Sequence, residues 1–459
     1  MIDMSFYKGE KILIFGTGKI CQKCMAYFDR DKIIGFLDND IKKQGSYYED
    51  KFVYNPQEAV KTLDFDTVYI LNSYIKEVKD QLKSFGVNEE RIFTYHELIN
   101  EFDNRMASIT FRDKVQKIPL EAVNELLKGK VVVFQDDDSV LEIFKYISNE
   151  YVIMEYGDIP SDVDMIAYHG LGITPYNLEI YNQAVQRNIP VIMFEDGFLR
   201  SLKPAGFEDR ADRVIGRSII LDGCGLYINA YSESEIERIL NSNYVLSKSE
   251  EKRARELVDC IVSYKLSKYN HQPLTGNVPG RQGVEKVLII DQVPEDRSIS
   301  FGMATEETFS DMLKAAIKEN PSSDILIKKH PVAEKTHYAN VTGENIYLME
   351  APINPITLLE QVDKVYVCSS QMGFEALLCG KEVHTFGMPF YAGWGVTLDR
   401  QHCSRRRKTR NVEEIFYVAY VLMTHYISVK KGRECSIEEM LEELISLRNE
   451  YFQEIEERS

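Results

Sequence analysis

Three polar clusters in this chain each close an apolar run, and their residue types suit the making or breaking of a bond to phosphate. Glu195-Asp196-Gly197 follows Val191-Ile192-Met193-Phe194, and Phe198-Leu199-Arg200-Ser201 brings a cation next to the acids. A carboxylate at a strand's carboxyl end can take a proton or attack an electron-poor carbon. Gly197 lets the chain turn there and lets a ligand approach the backbone. A strand-end turn with an ordinary salt bridge fits the same residues. Lys328-Lys329-His330-Pro331 closes a second run, where proline prevents the strand from continuing. Two lysines and a histidine facing a cleft suit a phosphate through charge-assisted hydrogen bonds, although a solvated strand end reads the same way. Ser369-Ser370 follows a third run and opens a helix through Gln371-Met372-Gly373-Phe374-Glu375. Hydroxyls and free N–H groups there suit an anion, or serine simply caps the helix. Glu375 either accepts hydrogen bonds from ribose or only complements the helix N-terminus.

Other motifs carry less. Gly16-x-Gly18, with Asp38 ending the next strand, has the start of a dinucleotide fingerprint, but Cys21 stands where its third glycine belongs. A tight turn is the preferred reading. Cys21-x-x-Cys24 has no second pair nearby and reads as two packed thiols. Asp136-Asp137-Asp138 could bind a metal-diphosphate, but helix capping is favoured because no other ligand cluster accompanies it. The segment 405–410 has five basic residues in six. It reads as a contact with anionic lipid, a solvated loop or an internal phosphate clamp.

The elements that must position these residues alternate between short apolar strands and helical stretches, which argues for parallel sheets. The expected fold class is α/β: a GT-B-like pair of Rossmann-type domains with a cleft between them, preceded by a small Rossmann-like α/β domain. The expected boundaries are 1–100 for the small domain, 101–128 for a linker, 129–275 and 281–410 for the two halves, and 411–459 for C-terminal helices. Ligands in such sheets bind beyond the strands' carboxyl ends, where the polar clusters lie. The 459 residues carry a net charge of −17, which excludes a broad nucleic-acid-binding surface. No apolar run is long enough to span a membrane, the start lacks a signal-peptide pattern, and eight cysteines are too sparse for a disulfide framework. The expected location is the cytoplasm.

The longer matches narrow the reading. The run 194–201, Asp222-Gly223-Cys224-Gly225-Leu226-Tyr227, the stretch 287–292 followed by Asp296-Arg297-Ser298-Ile299, Gly373-Phe374-Glu375-Ala376-Leu377 and the run 386–395 with the chain's only tryptophan, Trp394, resemble the capsule polysaccharide β-Kdo transferases of the KpsC and KpsS group. The resemblance covers roughly residues 130 to 435 and implies one transferase module. It implies a CMP-β-Kdo donor, a lipid-linked or Kdo-terminated acceptor, retention at the anomeric carbon, and no metal or other cofactor. Asp196 matches the position of the family's carboxylate, as nucleophile or as general base, with Glu195 and His330 beside it as catalytic candidates. Lys328, Ser369, Ser370, Glu375, Gln292 and Ser298 are implied to bind the donor, and Arg200 to meet the sugar's own carboxylate. A peripheral contact with the inner membrane or with capsule assembly proteins fits this reading. The alternatives are another CMP-nonulosonate donor or a non-catalytic scaffold. The first hundred residues resemble instead the small N-terminal domain of bacterial sugar acyltransferases, which holds a nucleotide sugar. Here that domain reads as a docking or regulatory module.

Overall fold

The computed structural model describes residues 7–99, 101, 117–134, 143–154, 159–170, 183–204, 209–294, 296–330, 336–339 and 341–458. Pro331, Asp136-Asp137-Asp138 and most of the expected linker lie outside the described residues. The chain divides into two compact units, one containing residues 1–109 and the other residues 110–172 and 180–459.

The first unit is built on β1 (Ile12–Phe15), β2 (Ile33–Leu37), β3 (Tyr47–Tyr48), β4 (Lys51–Tyr54), β5 (Thr67–Ile70) and β6 (Ile92–Thr94), in the order β3-β4-β2-β1-β5-β6. All neighbours are parallel except the β3–β4 hairpin. Every residue of β1 and β5 is buried, as unbroken apolar runs in a sheet covered on both faces must be. The fold is Rossmann-like, as the sequence leads one to expect.

The second unit holds two sheets. One contains β7 (Lys130–Phe134), β8 (Glu150–Met154), β9 (Met165–His169), β10 (Val191–Asp196) and β11 (Ser218–Asp222). The other is wholly parallel and contains β12 (Lys286–Ile290), β13 (Asp324–Lys328), β14 (Ile346–Met349), β15 (Lys364–Val367), β16 (Glu382–Thr385) and β17 (Leu398–Asp399), in the order β14-β13-β12-β15-β16-β17. The pair is the expected GT-B-like arrangement of Rossmann-type halves.

Two boundaries differ from the sequence reading. The tail is not only helical. Its strands β18 (Thr424–Ser428) and β19 (Arg433–Cys435) return to the first half and complete a seven-stranded sheet, β19-β18-β11-β10-β9-β7-β8. The stretch before 129 is not wholly linker either. Within it the helix Leu120–Leu126 packs Val123 into the core of that sheet, and Ile118 and Leu127 on either side of the helix join it there. The helix Lys248–Ser263 is opened by a capping box between Ser247 and Glu250.

The two halves share one large apolar core. Phe198 stacks on Tyr420, with ring centroids 4.6 Å apart, and meets Phe390 at 4.8 Å. Trp394, Tyr391 and the helix Ile437–Arg458 complete the cluster. Among the described residues no helix is long and apolar enough to cross a membrane.

Candidate active site

The acidic cluster closes β10, as its apolar run requires. A Cβ at Gly197 would lie 2.3 Å from Ser218 Oγ, so only glycine lets the chain leave β10 across β11. Asp196 then sits between two cations. Arg200 Nε is 2.7 Å from Asp196 Oδ2, and Lys268 Nζ is 3.9 Å from the same oxygen. Asp196 Oδ1 is buried and receives no hydrogen bond from the described residues. A buried acceptor without a partner is rare, and this one has its second oxygen already held. Glu195 lies beside it, with Oε1 3.6 Å from His169 Nε2. Burial pushes the Glu195 carboxyl up, but His169 and Lys268 outweigh that and leave it below the usual value. Burial likewise pulls the Lys268 ammonium down, and Asp196 and Glu195 more than restore it. Both groups therefore stay ionised at neutral pH.

The expected donor-side residues converge opposite. Gln292 Nε2 donates to Ser298 Oγ at 3.2 Å and to Ser369 Oγ at 3.1 Å, while Gln292 Oε1 accepts from Ser369 N at 3.0 Å. Asp296 caps the short helix Arg297–Phe301 through Ser298 N, 2.8 Å away. The approach is close because Gly302 has no side chain: a Cβ there would lie 3.0 Å from Ser369 Cβ. Beneath Gln292, the buried Asp291 pairs with His337 Nδ1. His330 Nδ1 is buried without a hydrogen-bond partner among the described residues. Burial lowers the His330 pKa, with Asp296 and Asp291 pulling against it and Lys268 and Lys328 with it. Lys328 is only 7% exposed, and its Nζ donates to Ala351 O at 3.3 Å. Burial alone pulls its pKa down, so an incoming anion would restore it.

The two sides meet. Gln371 Nε2, next to Ser370, donates to Phe198 O at 2.8 Å, two residues beyond Asp196. Tyr227 feels the charges of Glu195, Asp196 and Asp296 together. Its loop is set by the buried Asp222, whose Oδ1 accepts from Cys224 N at 2.7 Å and Gly225 N at 2.9 Å. Asp196, Glu195, His330, Lys328, Gln292, Ser298, Ser369 and Ser370 thus line one region, and Lys268, Tyr227 and His169 join them. Sequence reasoning missed those three because single residues after unremarkable segments carry no spacing signal. Tyr227 had the clearest cue, since it ends the quoted 222–227 motif.

Three expectations need correction. Arg200 does not face the substrate; it is 1% exposed, gripping Asp196 and donating to Val214 O at 3.0 Å. Lys329 does not join Lys328 and His330, because alternation along β13 turns it away, 3.9 Å from Glu350. Of the two readings offered for Ser370, the local one is visible, its Oγ accepting from Met372 N at 3.3 Å just ahead of the N-cap residue Gln371. Glu375 is buried rather than open to a ribose: it accepts from Ser267 Oγ at 2.7 Å and Gln371 Nε2 at 3.3 Å.

Burial pushes the Glu375 carboxyl up to about 7, against the pull of Ser267 and the Lys268 backbone. A carboxyl raised in the folded state favours folding below its ordinary pKa of 4.5, and that contribution is lost as pH climbs through about 7. Glu375→Gln keeps an acceptor for Ser267. It is expected to remove a pH-dependent loss on the order of 3 kcal/mol between about pH 5 and about pH 8. Urea unfolding followed by Trp394 fluorescence at the two pH values checks this. An unchanged slope in the variant would contradict it.

The basic segment 405–410 is largely internal. Arg405 Nε and Arg406 Nε lie 2.7 and 3.2 Å from Glu237, in the first half. Arg406 also donates to Pro389 O and Ala392 O, and its guanidinium lies 5.7 Å from the Trp394 ring. Arg410 donates to Leu240 O at 2.7 Å and Ser242 O at 2.9 Å. These cations staple the two halves together, which corrects the reading of the segment as a lipid contact.

The capsule polysaccharide biosynthesis protein family matches residues 171–281 and 277–431, and a second family, C2185-like N-terminal, matches residues 8–93. The capsule polysaccharide modification protein LipA of Neisseria meningitidis serogroup B is 37% identical over 295 residues, covering 61% of this chain and 41% of LipA. The lipopolysaccharide-processing protein LpsZ of Rhizobium meliloti is 33% identical over 277 residues, 58% of this chain and 61% of LpsZ. The chain therefore spans about two-fifths of the length of LipA. Among solved structures, the β-Kdo 2,4 transferase of Thermosulfurimonas dismutans KpsC superposes with a TM-score of 0.62 at 32% identity, covering 69% of this chain and 98% of that one. The β-Kdo 2,7 transferase of the same protein has a TM-score of 0.53 at 22% identity, over 70% of this chain and all of that one, and shares the fold.

Proposed function

Because the chain belongs to the capsule polysaccharide biosynthesis family, we propose that it is a glycosyltransferase moving Kdo from CMP-β-Kdo to a lipid-linked or Kdo-terminated acceptor, on the cytoplasmic side, without a metal. The likeness to the KpsC β-Kdo 2,4 transferase supports the sugar. The observation that carries the chemistry is the division of labour on Asp196: Oδ2 is held by Arg200, while Oδ1 is buried without a donor among the described residues.

In this proposal Oδ1 attacks the anomeric carbon. The bond from that carbon to the phosphate oxygen breaks, and CMP leaves with the electron pair. His330, Lys328 and the hydroxyls of Ser369 and Ser370 take up the growing negative charge. Lys268, 3.9 Å from Asp196, takes the role first assigned to Arg200 and meets the sugar's own carboxylate. The acceptor hydroxyl then attacks the same carbon, displaces Asp196 and passes its proton to Glu195, with His169 behind it. Two displacements return the original configuration. Lys268 and Lys328 supply the positive charge that a divalent metal would otherwise bring.

The test is CMP release from CMP-Kdo with a synthetic Kdo acceptor in EDTA, with the product's anomeric configuration read by NMR. Turnover with retention supports the reading in full. Inversion would make Asp196 a general base. Binding of CMP without turnover would point to another nonulosonate, and no binding of CMP would sink the transferase.

A further inference from the structure

His330 is assigned part of the charge stabilisation, yet none of the described residues bonds its Nδ1. The main chain on either side then has to place the ring. On the near side, Asp291 N donates to Lys328 O at 3.0 Å and Lys329 N donates to Met349 O at 3.2 Å. On the far side, the chain comes back to the same aspartate. Thr336 and His337, six and seven positions beyond His330, both bond the Asp291 side chain.

Asp291 is buried where β12 ends. Its Oδ2 accepts from Thr336 Oγ1, while Oδ1 accepts from Gln292 N at 2.9 Å and lies 2.5 Å from His337 Nδ1. One buried carboxylate thus ties the turn beyond His330 to Gln292, whose side chain holds Ser298 and Ser369. His337 is itself held by the helix Glu306–Glu319. Its ring lies flat on Phe309, with centroids 3.7 Å and planes 2° apart. Glu306 Oε2 stands 3.0 Å from its Nε2, at ion-pair distance but not aligned for a hydrogen bond. The next residue, Tyr338, is buried and donates to Phe309 O at 3.1 Å. Apolar packing alone could dock such a turn on a helix. A buried carboxylate instead costs desolvation that only close partners offset. What it adds is direction, because hydrogen bonds have a narrow range of length and angle, whereas apolar contact is non-directional.

We propose that His337 is a positioning residue for His330 and acts through Asp291. It touches neither donor nor acceptor. Asp291 meets Lys328 with its main chain and closes the turn beyond His330 with its carboxylate. By holding Asp291, His337 sets where the His330 ring stands against the leaving phosphate. The part played by the phosphate rests on the proposed transferase; the placement of His330 does not.

The first measurement is nitrogen NMR of the histidine rings in the full chain, with the His330 signals assigned by their loss in His330→Ala. His337→Phe keeps a flat ring against Phe309 and loses the bond to Asp291, whereas His337→Asn puts an amide N–H where Nδ1 stands. The His330 signals are expected to shift or broaden in His337→Phe and to keep their wild-type positions in His337→Asn. Circular dichroism checks folding. Should His337→Phe not fold, Thr336→Val, which removes only the hydroxyl on Asp291 Oδ2, is expected to move the same signals. Unmoved His330 signals in the folded variant overturn the proposal, and so does an equal displacement in His337→Phe and His337→Asn.

The second measurement is kinetic, with CMP-Kdo and a synthetic Kdo acceptor. His337→Phe is expected to lower kcat about tenfold or more and to change the donor KM by less than about threefold, because His330 acts as charge develops on the leaving phosphate. Adding His337→Phe to His330→Ala should cost less than about twofold more, since a residue that acts through another has nothing left to act on. Full additivity of the two losses overturns the proposal. Absence of turnover in the wild type overturns the transferase reading instead, and the ring signals then decide the placement of His330 by themselves.

Discussion

Asp196→Ala is expected to lower sugar transfer by at least about 10³-fold while CMP still binds. The loss follows from what the side chain does. Arg200, 1% exposed, fixes one carboxylate oxygen at 2.7 Å, and the other is buried with no donor among the described residues. Asparagine would keep the shape but not the charge, so Asp196→Asn should fall nearly as far. The residues assigned to the phosphate lie on the other half, so CMP affinity should change little. The proposed covalent step adds a readout that a merely structural role would not move. Wild type given CMP-Kdo without acceptor should gain the mass of one Kdo residue, and neither variant should. Arg200→Met should reduce kcat more than it raises KM, because Arg200 positions the carboxylate and does not touch the sugar. Full turnover in Asp196→Ala would remove the residue from the mechanism.

Glu237→Ala is expected to destabilise the second unit by about 3–5 kcal/mol. Glu237 and Arg406 are 2% and 3% exposed and 3.2 Å apart, with Arg405 Nε at 2.7 Å from the other oxygen. Removing the carboxylate strands buried guanidinium charge, and the methyl group that replaces it offers no hydrogen bond. Burial already pulls the Arg406 pKa down, with Glu237 restoring part of it. Trp394, the only tryptophan, sits beside Arg406, so its fluorescence in a urea titration reports the contact directly. Glu237→Ala together with Arg406→Met should recover much of the loss, since the buried guanidinium goes with its carboxylate and only Arg405, a third exposed, is left without its partner. An unaltered midpoint in the single variant would show that the staple carries no stability.

Much of the fold was legible because its strands are short apolar runs ending in polar clusters. Val191-Ile192-Met193-Phe194 and Val287-Leu288-Ile289-Ile290 sit where such runs must, at the centre of sheets buried on both faces. The edge strands were not legible. Glu150–Met154 is only half-buried, and Arg433–Cys435 is short and exposed. Strands at a sheet's margin need no continuous apolar pattern. The helix Leu120–Leu126 escaped because it is short and lies within a longer stretch rich in charged and polar residues, and its contact with the core rests on Val123 and its neighbours Ile118 and Leu127.

By itself the sequence determined the order of the α/β elements and the residue types at the carboxyl ends of their strands. It also placed Asp196, His330 and the Ser369-Ser370 pair there, because all of these follow from local periodicity and chain breaks. Only the tertiary structure decided which charges are spent and which are left. Arg200 and Arg406 read as cations for a substrate or a membrane, yet both are consumed internally, one by a carboxylate four residues away and one by Glu237, 169 positions away in the chain. Lys268 is an unremarkable lysine until the fold sets it 3.9 Å from Asp196. The physical reason is that a charge's role depends on what surrounds it and how much water it keeps. Both depend on contacts between distant segments, which local sequence pattern does not encode.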